Sequence, residues 1–217
     1  FLKDEEQRLK NFSISDKNLY FDFSKNQISG STFQELISLG NDPNFTKSII
    51  RMFQGKEINL TESRKVLHFL LRNHDNDFFK QVDIEKRLIG AQLAKMEDLV
   101  FKIRKKKKKG SNESFFKNVI VIGIGGSHLG PELVSEALID YHNEPFNMKF
   151  LVNADHTEFI ATTDKLDAKR TLIIVVSKSM TTTETILNLR AIKEWLLSQG
   201  VKKSEISNHF ITISNKT

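Results

Sequence analysis

The sequence predicts an α/β fold in which a parallel sheet is sandwiched by helices. From residue 118 onward, short runs rich in Val and Ile alternate with stretches of helical period. The runs "VIVIG" and "TLIIVV" are apolar throughout, which is typical of strands covered on both faces by the helical crossovers of a parallel sheet. We therefore predict a three-layer αβα sandwich, preceded by an N-terminal helical segment.

The elements of the predicted sheet domain follow one another closely. We predict strands at 118–122, 149–152, 172–176 and 209–213, and helices at 132–140, 157–166 and 181–198. Ligands of open α/β sheets lie beyond the carboxyl ends of the strands. The residues that directly follow Ile122 and Val176 are therefore the candidate functional residues.

In the first half of the chain the residue pattern predicts helices connected by short extended segments. An alternating strand-like stretch at 19–29 precedes two helices, one closed by Gly40 and one with Pro43 in its first turn and Gly55 after its end. We predict a further helix starting at Thr61, with its apolar face at Val66, Leu67, Leu70 and Leu71, and a long amphipathic helix over 83–104.

Three regions are predicted from these patterns. Residues 1–104 form a helical segment that packs on the sheet domain, 105–114 form a basic flexible loop, and 115–217 form the α/β domain, truncated at its C-terminal end. The lysine run of the loop contributes much of the net charge of +6. A block of like charge is usually a solvated segment, so we expect no nucleic-acid partner, although an arm for nucleic acid stays open as an alternative.

Composition excludes several classes of protein. A chain of 217 residues with 39% hydrophobic content can bury a core. The absence of cysteine excludes disulfides, a cysteine nucleophile and thiolate zinc sites. No apolar stretch approaches the roughly 20 residues that span a bilayer, so we expect a soluble cytoplasmic protein without membrane contact. The six histidines show no metal-binding spacing, and we expect neither metal nor cofactor.

A glycine-rich loop, "GIGGSHLGP" at 123–131, follows the first predicted strand. Glycines allow close approach of the backbone to a ligand, and the following helix offers free N–H groups, so the loop predicts capture of phosphate or carboxylate. A dinucleotide fingerprint would need glycine where His128 stands, and a nucleophile elbow would need it at Leu129. A P-loop would need lysine where Pro131 stands.

A second loop, "VVSKSMTTTET" at 175–185, follows the third predicted strand. It offers a cation on Lys178 and five hydroxyls between 177 and 183, more than helix capping needs. Taken singly, each hydroxyl is explained about equally well by ligand binding and by capping of the helix that follows. Because both loops lie at the same edge of the predicted sheet, together they predict a pocket for a phosphate monoester.

The two loops, in their order along the chain, resemble the sugar-isomerase (SIS) type of domain and, within it, the phosphoglucose isomerase family. Two upstream stretches resemble the same family: "DFSKNQI" at 22–28 and "NLTESRKVLHFLLR" at 59–72. The resemblance implies reversible isomerisation of glucose 6-phosphate and fructose 6-phosphate through an enediol, in glycolysis and gluconeogenesis, by a homodimeric full-length enzyme. It implies substrate contacts by Gly126, Ser127, Ser177, Lys178, Ser179, Met180, Thr181 and Thr182.

The resemblance also implies supporting catalytic roles for two residues. Glu184 matches a glutamate that steadies the ring-opening histidine, and Lys178 assists from the phosphate loop. Two positions depart from the family pattern. Ser179 replaces a threonine but keeps the hydroxyl. His128 replaces an aspartate; we expect it to face solvent, and the alternative is a histidine that gains positive charge near a phosphate.

The principal base and the ring-opening histidine of the family lie beyond the second loop, and no stretch here matches them. We therefore expect a fragment that holds the phosphate-binding half of the active site and is inactive alone. The main alternative is a non-catalytic sugar-phosphate-sensing domain, which has no reason to carry the two upstream stretches. A second alternative is an isomerase domain for glucosamine phosphates, which would lack the helical preamble.

Overall fold

The computed structural model describes residues 5–72, 82–141 and 146–215, and the chain divides into two compact units, Phe1–Leu93 and Ala94–Thr217. The predicted regions 1–104, 105–114 and 115–217 stay a prediction. The elements before the sheet are α1 Glu5–Asn11, β1 Ser13–Asp16, β2 Leu19–Asp22, α2 Gly30–Gly40, α3 Pro43–Phe53, β3 Glu57–Asn59, β4 Arg64–Lys65 and α4 Asp83–Arg104. Those of the sheet region are β5 Asn118–Ile122, α5 Gly126–Ala137, β6 Asn147–Leu151, α6 His156–Thr163, β7 Thr171–Val176, α7 Thr183–Ser198 and β8 Phe210–Ile213.

The segment "DFSKNQI" forms a hydrogen-bonded turn after the hairpin of β1 and β2. The guanidinium of Arg8 donates to the carbonyl oxygens of Ser24, Asn26 and Ile28, at 2.9, 2.9 and 3.3 Å. The backbone N–H of Ser24 donates to Asp22 Oδ1 and thereby lowers the pKa of that carboxyl. Three phenylalanine rings pack beside the turn with centroids 5.4 to 5.8 Å apart: Phe12, Phe23 and Phe33. The strand predicted over 19–29 therefore stops at the turn.

Side chains cap the starts of α2 and α3, and the predicted Gly40 and Pro43 lie at the end of α2 and the start of α3. Ser29 Oγ accepts from the N–H of Thr32 at the start of α2, which ends at Gly40. Asp42 accepts from the N–H of Asn44 ahead of α3, and Pro43 opens that helix because its missing N–H costs nothing there.

The prediction of a helix that starts at Thr61 is wrong. The segment forms the hairpin of β3 and β4 and then a short 3₁₀ turn at His68–Leu71. Asn59 Oδ1 accepts from the hydroxyl of Thr61 and from the N–H of Glu62, and Ser63 lies in the left-handed region at φ 49°. Side-chain hydrogen bonds of this kind compete with helix formation, so apolar periodicity misled the prediction.

The long helix α4 has the predicted bounds, Asp83–Arg104. Acidic residues occupy its first turn and basic residues its last, which suits the helix dipole. Near its start, Glu85 pairs with Lys65, and this hydrogen bond lowers the pKa of the glutamate. Among the described residues, no helix has the length and apolarity needed to cross a membrane.

A four-stranded parallel sheet forms the centre of the second unit. Its strand order is β6-β5-β7-β8, and all three pairings are parallel. The first predicted strand, 118–122, matches β5 residue for residue, and the other three differ from β6, β7 and β8 by one or two residues at their ends. The predicted parallel sheet sandwiched by helices is confirmed.

Both faces of the sheet carry buried apolar side chains. One face packs against α6 and α7 through the buried residues Ile120, Ile122, Leu151, Ile173, Val175, Ile192 and Leu196. The other face contains Phe116, Val119, Val121 and Leu172, with Ile103 from the end of α4 packed against them. Two-sided burial explains why β5 and β7 are apolar at every position after their first residues, Asn118 and Thr171.

The segment after α4 is packed more closely than the predicted flexible loop. Ser111 is fully buried, and Gly110 leaves no room for a side chain because an added Cβ would lie 2.6 Å from the carbonyl oxygen of Lys169. The lysines beside them rest on aromatic rings, Lys107 on Phe101 and Lys109 on Phe115.

Candidate functional site

The strand order creates a crevice at the carboxyl end of the sheet. The connection after β5 leads to β6 on one side, and the connection after β7 leads to β8 on the other. Adjacent strands whose connections leave in opposite directions mark the point where ligands bind in open α/β sheets. Ile122 pairs with Val175 in the parallel register, so the two loops identified in the sequence start side by side, with strands about 4.8 Å apart.

Two glycines shape the first loop. Gly125 has φ 59° and ψ −125°, a conformation that L side chains rarely adopt. At Gly123 an added Cβ would lie 2.7 Å from the carbonyl oxygen of Ser127, so the chain folds back onto itself there. Gly126 has no heavy atom within 4 Å of an added Cβ and is exposed at the crevice side of the loop.

The helix after this loop starts earlier than predicted. It was predicted at 132–140, but α5 begins at Gly126 and contains Pro131. Because proline has no N–H, the carbonyl of Ser127 lacks its usual helical donor. The tight turn at Gly125 starts the helix directly at the end of the sheet, which places the first turn of α5 at the crevice.

The two helices that start at the crevice differ from their neighbours at their first turns. Side chains cap α2, α3 and α6, the last through Asp155, which accepts from the N–H of Glu158. Within the described residues, no side chain caps α5 or α7. In α5 the N–H groups of Ser127 and His128 donate to the carbonyl oxygens of Ile124 and Gly125, at 3.2 and 3.0 Å. The positive dipole ends of both helices and the leading N–H groups of α7 face no capping side chain, which suits an anion.

Hydrogen bonds fold the second loop into a defined turn. The N–H of Ser177 donates to the carbonyl of Ile213 in β8, and Ser177 Oγ accepts from the N–H of Met180 at 3.1 Å. The hydroxyls of Ser179 and Thr181 lie 2.7 Å apart. Met180 lies in the left-handed region at φ 52°, and its side chain packs against the sheet core.

The predicted binding residues therefore divide by environment. Ser177 is buried within the turn, and Met180 can offer only its backbone to a ligand. The others lie partly or fully exposed on the two loops: Gly126, Ser127, Lys178, Ser179, Thr181 and Thr182. The helix predicted from Thr181 begins at Thr183, because the turn continues through Thr182. Glu184 lies in the first turn of α7 and is partly buried.

His128 does not face solvent as expected. Its ring packs edge-on against Phe150 with centroids 5.6 Å apart, and 14% of its side chain is exposed. Nε2 lies 3.0 Å from a carboxylate oxygen of Glu132, one helical turn later, at an angle that is not that of a hydrogen bond. The pair places a histidine and an acid in the early turns of α5.

A polar clamp that the sequence analysis missed holds the third loop of the same edge. Glu158 Oε1 accepts from the N–H of Val152 at 2.6 Å and from that of Asn153 at 3.2 Å. The side-chain amide of Asn188, on α7, donates to the carbonyls of both Val152 and Asn153 at 3.3 and 3.2 Å. The sequence offered one signal for this clamp: an asparagine on the apolar face of a predicted helix is expected to be buried and hydrogen-bonded.

A groove of about 590 Å³ lies between α6 and α7. Phe159, Leu187 and Trp195 provide much of its apolar surface, and Asp155 and Glu194 provide carboxylates. The predicted binding residues, all of which the structure describes, do not line it. The crevice at β5 and β7 therefore stays the candidate site.

A parallel sheet with helices on both faces, two side-chain-free helix starts and a hydroxyl-rich turn at its crevice defines an α/β protein with a candidate anion site. The model of the phosphoglucose isomerase family matches residues 22–217. The chain belongs to the phosphoglucose isomerase family.

Curated relatives and a solved structure agree with this membership. The glucose-6-phosphate isomerases of Cupriavidus taiwanensis and Pseudomonas fluorescens strain Pf0-1 are each 38% identical to the chain over 100% and 97% of its length. The chain spans 41% and 38% of these two relatives. A crystal structure of a glucose-6-phosphate isomerase from Chlamydia trachomatis shares the fold, with TM-score 0.73 at 24% identity over 97% of this chain and 40% of that one.

Proposed function

We propose that the crevice binds the phosphate group of glucose 6-phosphate and fructose 6-phosphate, and that the complete protein interconverts these two sugars. One observation carries the proposal. Because Ile122 pairs with Val175, the glycine-rich loop and the serine-threonine loop begin next to each other at the same edge of the sheet. We infer the identity of the substrate from the relatives, which are named glucose-6-phosphate isomerase. A sugar-phosphate sensor remains the alternative, with the same crevice but without catalysis.

The loops provide the donors that a phosphate dianion needs. We assign the N–H group of Gly126 and the Ser127 hydroxyl to one side of the phosphate. We assign the hydroxyls of Ser179 and Thr182, the Thr181 hydroxyl, and the cation of Lys178 to the other side. Charge-assisted hydrogen bonds to phosphate are roughly twice as strong as neutral ones, so these loops supply binding energy before any chemistry starts. Ser177 and Met180 hold the turn in shape.

The isomerisation moves a proton from carbon 2 of the sugar to carbon 1 through an enediol. This reaction needs a base above the carbon and an acid that opens the ring. In the proposal Glu184 steadies the ring-opening group from the start of α7, and Lys178 assists from the phosphate loop. We assign the principal base to no residue of this chain. The chain alone therefore carries the phosphate-binding half, and we expect it to show no isomerase activity.

We propose that the complete protein acts as a cytoplasmic homodimer in glycolysis and gluconeogenesis. The family resemblance supports the dimer and the pathway, and the cysteine-free composition fits a reducing compartment. Sedimentation velocity of the complete protein tests the dimer. A monomer at micromolar concentration would contradict it.

Isothermal titration calorimetry tests the binding proposal on the 217-residue chain. The ligands are glucose 6-phosphate, 6-phosphogluconate and inorganic phosphate. We expect Ser127→Ala and Lys178→Ala each to weaken binding by about tenfold, since a hydrogen bond to a charged group contributes about 1.5 kcal/mol or more. Lys203→Ala is the matched control for charge, because Lys203 precedes β8 at the opposite end of the sheet.

Two outcomes distinguish the parts of the proposal. Binding that both crevice substitutions leave unchanged removes the site assignment. Isomerisation of fructose 6-phosphate by the 217-residue chain alone contradicts the assignment of the principal base to residues outside it.

A further inference from the structure

A fully buried histidine lies at the end of the sheet opposite the crevice. His209 precedes β8, and both of its ring nitrogens contact backbone groups. Nδ1 lies 2.8 Å from the carbonyl oxygen of Thr171, and Nε2 lies 2.8 Å from the backbone nitrogen of Ser111. A carbonyl can only accept and an N–H can only donate. The ring is therefore neutral, with its single proton on Nδ1.

The contact at Nε2 joins the lysine-rich segment 105–114 to the sheet. The backbone of this segment approaches the ring so closely that a Cβ on Gly110 would lie 2.8 Å from His209 Cε1. The ring of Phe116 packs edge-on against the imidazole with centroids 5.7 Å apart. These contacts pack the ring with Nε2 directed at the backbone of Ser111.

The segment around this contact is conformationally strained. Lys106, Asn112 and Glu113 adopt φ values of 57°, 52° and 59°, in the left-handed region that costs free energy for residues other than glycine. Such a backbone persists only where its surroundings hold it. The hydrogen bond from Ser111 to His209 and the hydrogen bond from the Ser111 hydroxyl to Glu205 tie the buried part of the segment to the residues before β8.

Two charged groups act on the imidazole from the elements packed around it. Glu205, in the turn before the histidine, favours the protonated ring, and Lys108, in the strained segment, disfavours it. Burial is the larger influence and lowers the pKa of His209 below its ordinary value. The neighbouring cations point elsewhere: Arg170 Nε donates to the carbonyl of Phe115, and the Lys169 ammonium lies near Gly200.

We propose that His209 is a pH-dependent latch that fastens residues 105–114 to the sheet and releases them when Nε2 is protonated. The added proton would place two donors face to face and leave the N–H of Ser111 without its acceptor. Burial of an unpaired N–H beside a cation is unfavourable, so the strained segment leaves the ring. The buried Gly110 and Ser111 then become accessible to solvent while the sheet stays folded. This device is independent of the proposed sugar-phosphate binding.

Nuclear magnetic resonance of the 217-residue chain tests the latch in an acid titration. At neutral pH we expect the Ser111 amide to resonate downfield and the His209 ring to show the neutral tautomer with the proton on Nδ1. On acidification the ring signals and the Ser111 amide should shift in one common step. The amides of β5 and β7 should keep their positions through that step.

Two substitutions shift the step in opposite directions. Glu205→Gln removes an attraction and should lower the midpoint of the step by a few tenths of a pH unit, and Lys108→Gln removes a repulsion and should raise it. A Ser111 amide that stays in place while His209 titrates overturns the proposal. So does a step that removes the β5 and β7 signals together with that of Ser111, since the whole domain would then unfold. These readouts use the unsubstituted histidine and do not depend on whether His209→Gln folds.

Discussion

Ile122 of β5 pairs with Val175 of β7, so the glycine loop and the serine-threonine turn leave the sheet from adjacent positions. Each loop leads within a few residues to a helix that no side chain caps in the described structure. The register of one strand pair thus brings two sets of backbone donors to one crevice. Buried side chains on both faces of β5 and β7 pack against helices and loops, and a slip of one residue would disrupt this packing on both sides of the sheet.

Gly125 and Gly126 should respond differently to alanine substitution. Gly125→Ala places a Cβ on a backbone with φ 59° and should cost about 1 to 3 kcal/mol of stability. Gly126→Ala meets no protein atom within 4 Å and should fold normally but bind phosphate weakly, because the Cβ occupies the space assigned to the ligand. Urea denaturation and calorimetry check the pair. Equal stability of the two variants would contradict the role given to Gly125.

Ser177 and Ser179 should separate turn structure from ligand contact. Ser177 is buried and its hydroxyl accepts from the N–H of Met180, so Ser177→Ala should lower stability by about 1 kcal/mol and weaken binding through the distorted turn. Ser179 is more exposed, so Ser179→Ala should change binding with little change in stability. Thermal unfolding and phosphate titration measure both effects. The assignment fails if Ser179→Ala destabilises the chain more than Ser177→Ala.

The sheet could be predicted from the sequence because its signal is local and repeated. Apolar runs buried on both faces placed β5 to the residue and β7 to within one residue. The loops after them were visible because glycine and hydroxyl clusters at strand ends are unusual. The region of Thr61 could not be predicted in this way, because the hydrogen bonds of Asn59 outweigh the helical spacing of the apolar residues.

Contacts between residues that are distant in the sequence could also not be predicted from sequence patterns. Arg8 reaches three carbonyls of the turn after β2, and Asn188 reaches the loop after β6, 35 and 36 residues away. Ser111 and His209 are separated by 98 residues. Each of these residues is an ordinary polar residue in its local context, and only the folded chain shows its partner.

Asn188 should be important for stability although it lies outside the predicted site. Asn188 is buried, and Asn188→Ala removes the donor to the carbonyls of Val152 and Asn153, which should cost about 1 to 2 kcal/mol. Leu187→Ala on the exposed side of the same helix is the control and should change stability by about 0.5 kcal/mol or less. Urea denaturation of both variants measures the difference. A loss no larger than that of the control would show that the clamp is not a stabilising contact.

The free energy of unfolding should fall on mild acidification because of His209. Its pKa is lowered in the fold, whereas in the unfolded chain it is about 6.5. Between these two values the unfolded state binds more protons than the native state, so stability decreases as the pH falls from about 6.5 and levels off below the native pKa, with a slope of at most about 1.4 kcal/mol per pH unit.

Carboxylates contribute in a separate and more acidic range. The pKa values of Asp22 and Glu85 are lowered by the Ser24 N–H and by Lys65, so their contribution is present above the unfolded values, near 4, and is lost as the pH falls through the native ones. Urea denaturation at half-unit steps of pH resolves the two ranges. His209→Gln should flatten the curve near pH 6 and leave the acidic range unchanged. A curve for the unsubstituted chain that is flat from about pH 7 to about pH 5 would contradict a neutral, buried His209, since its protonation would then be the same in both states.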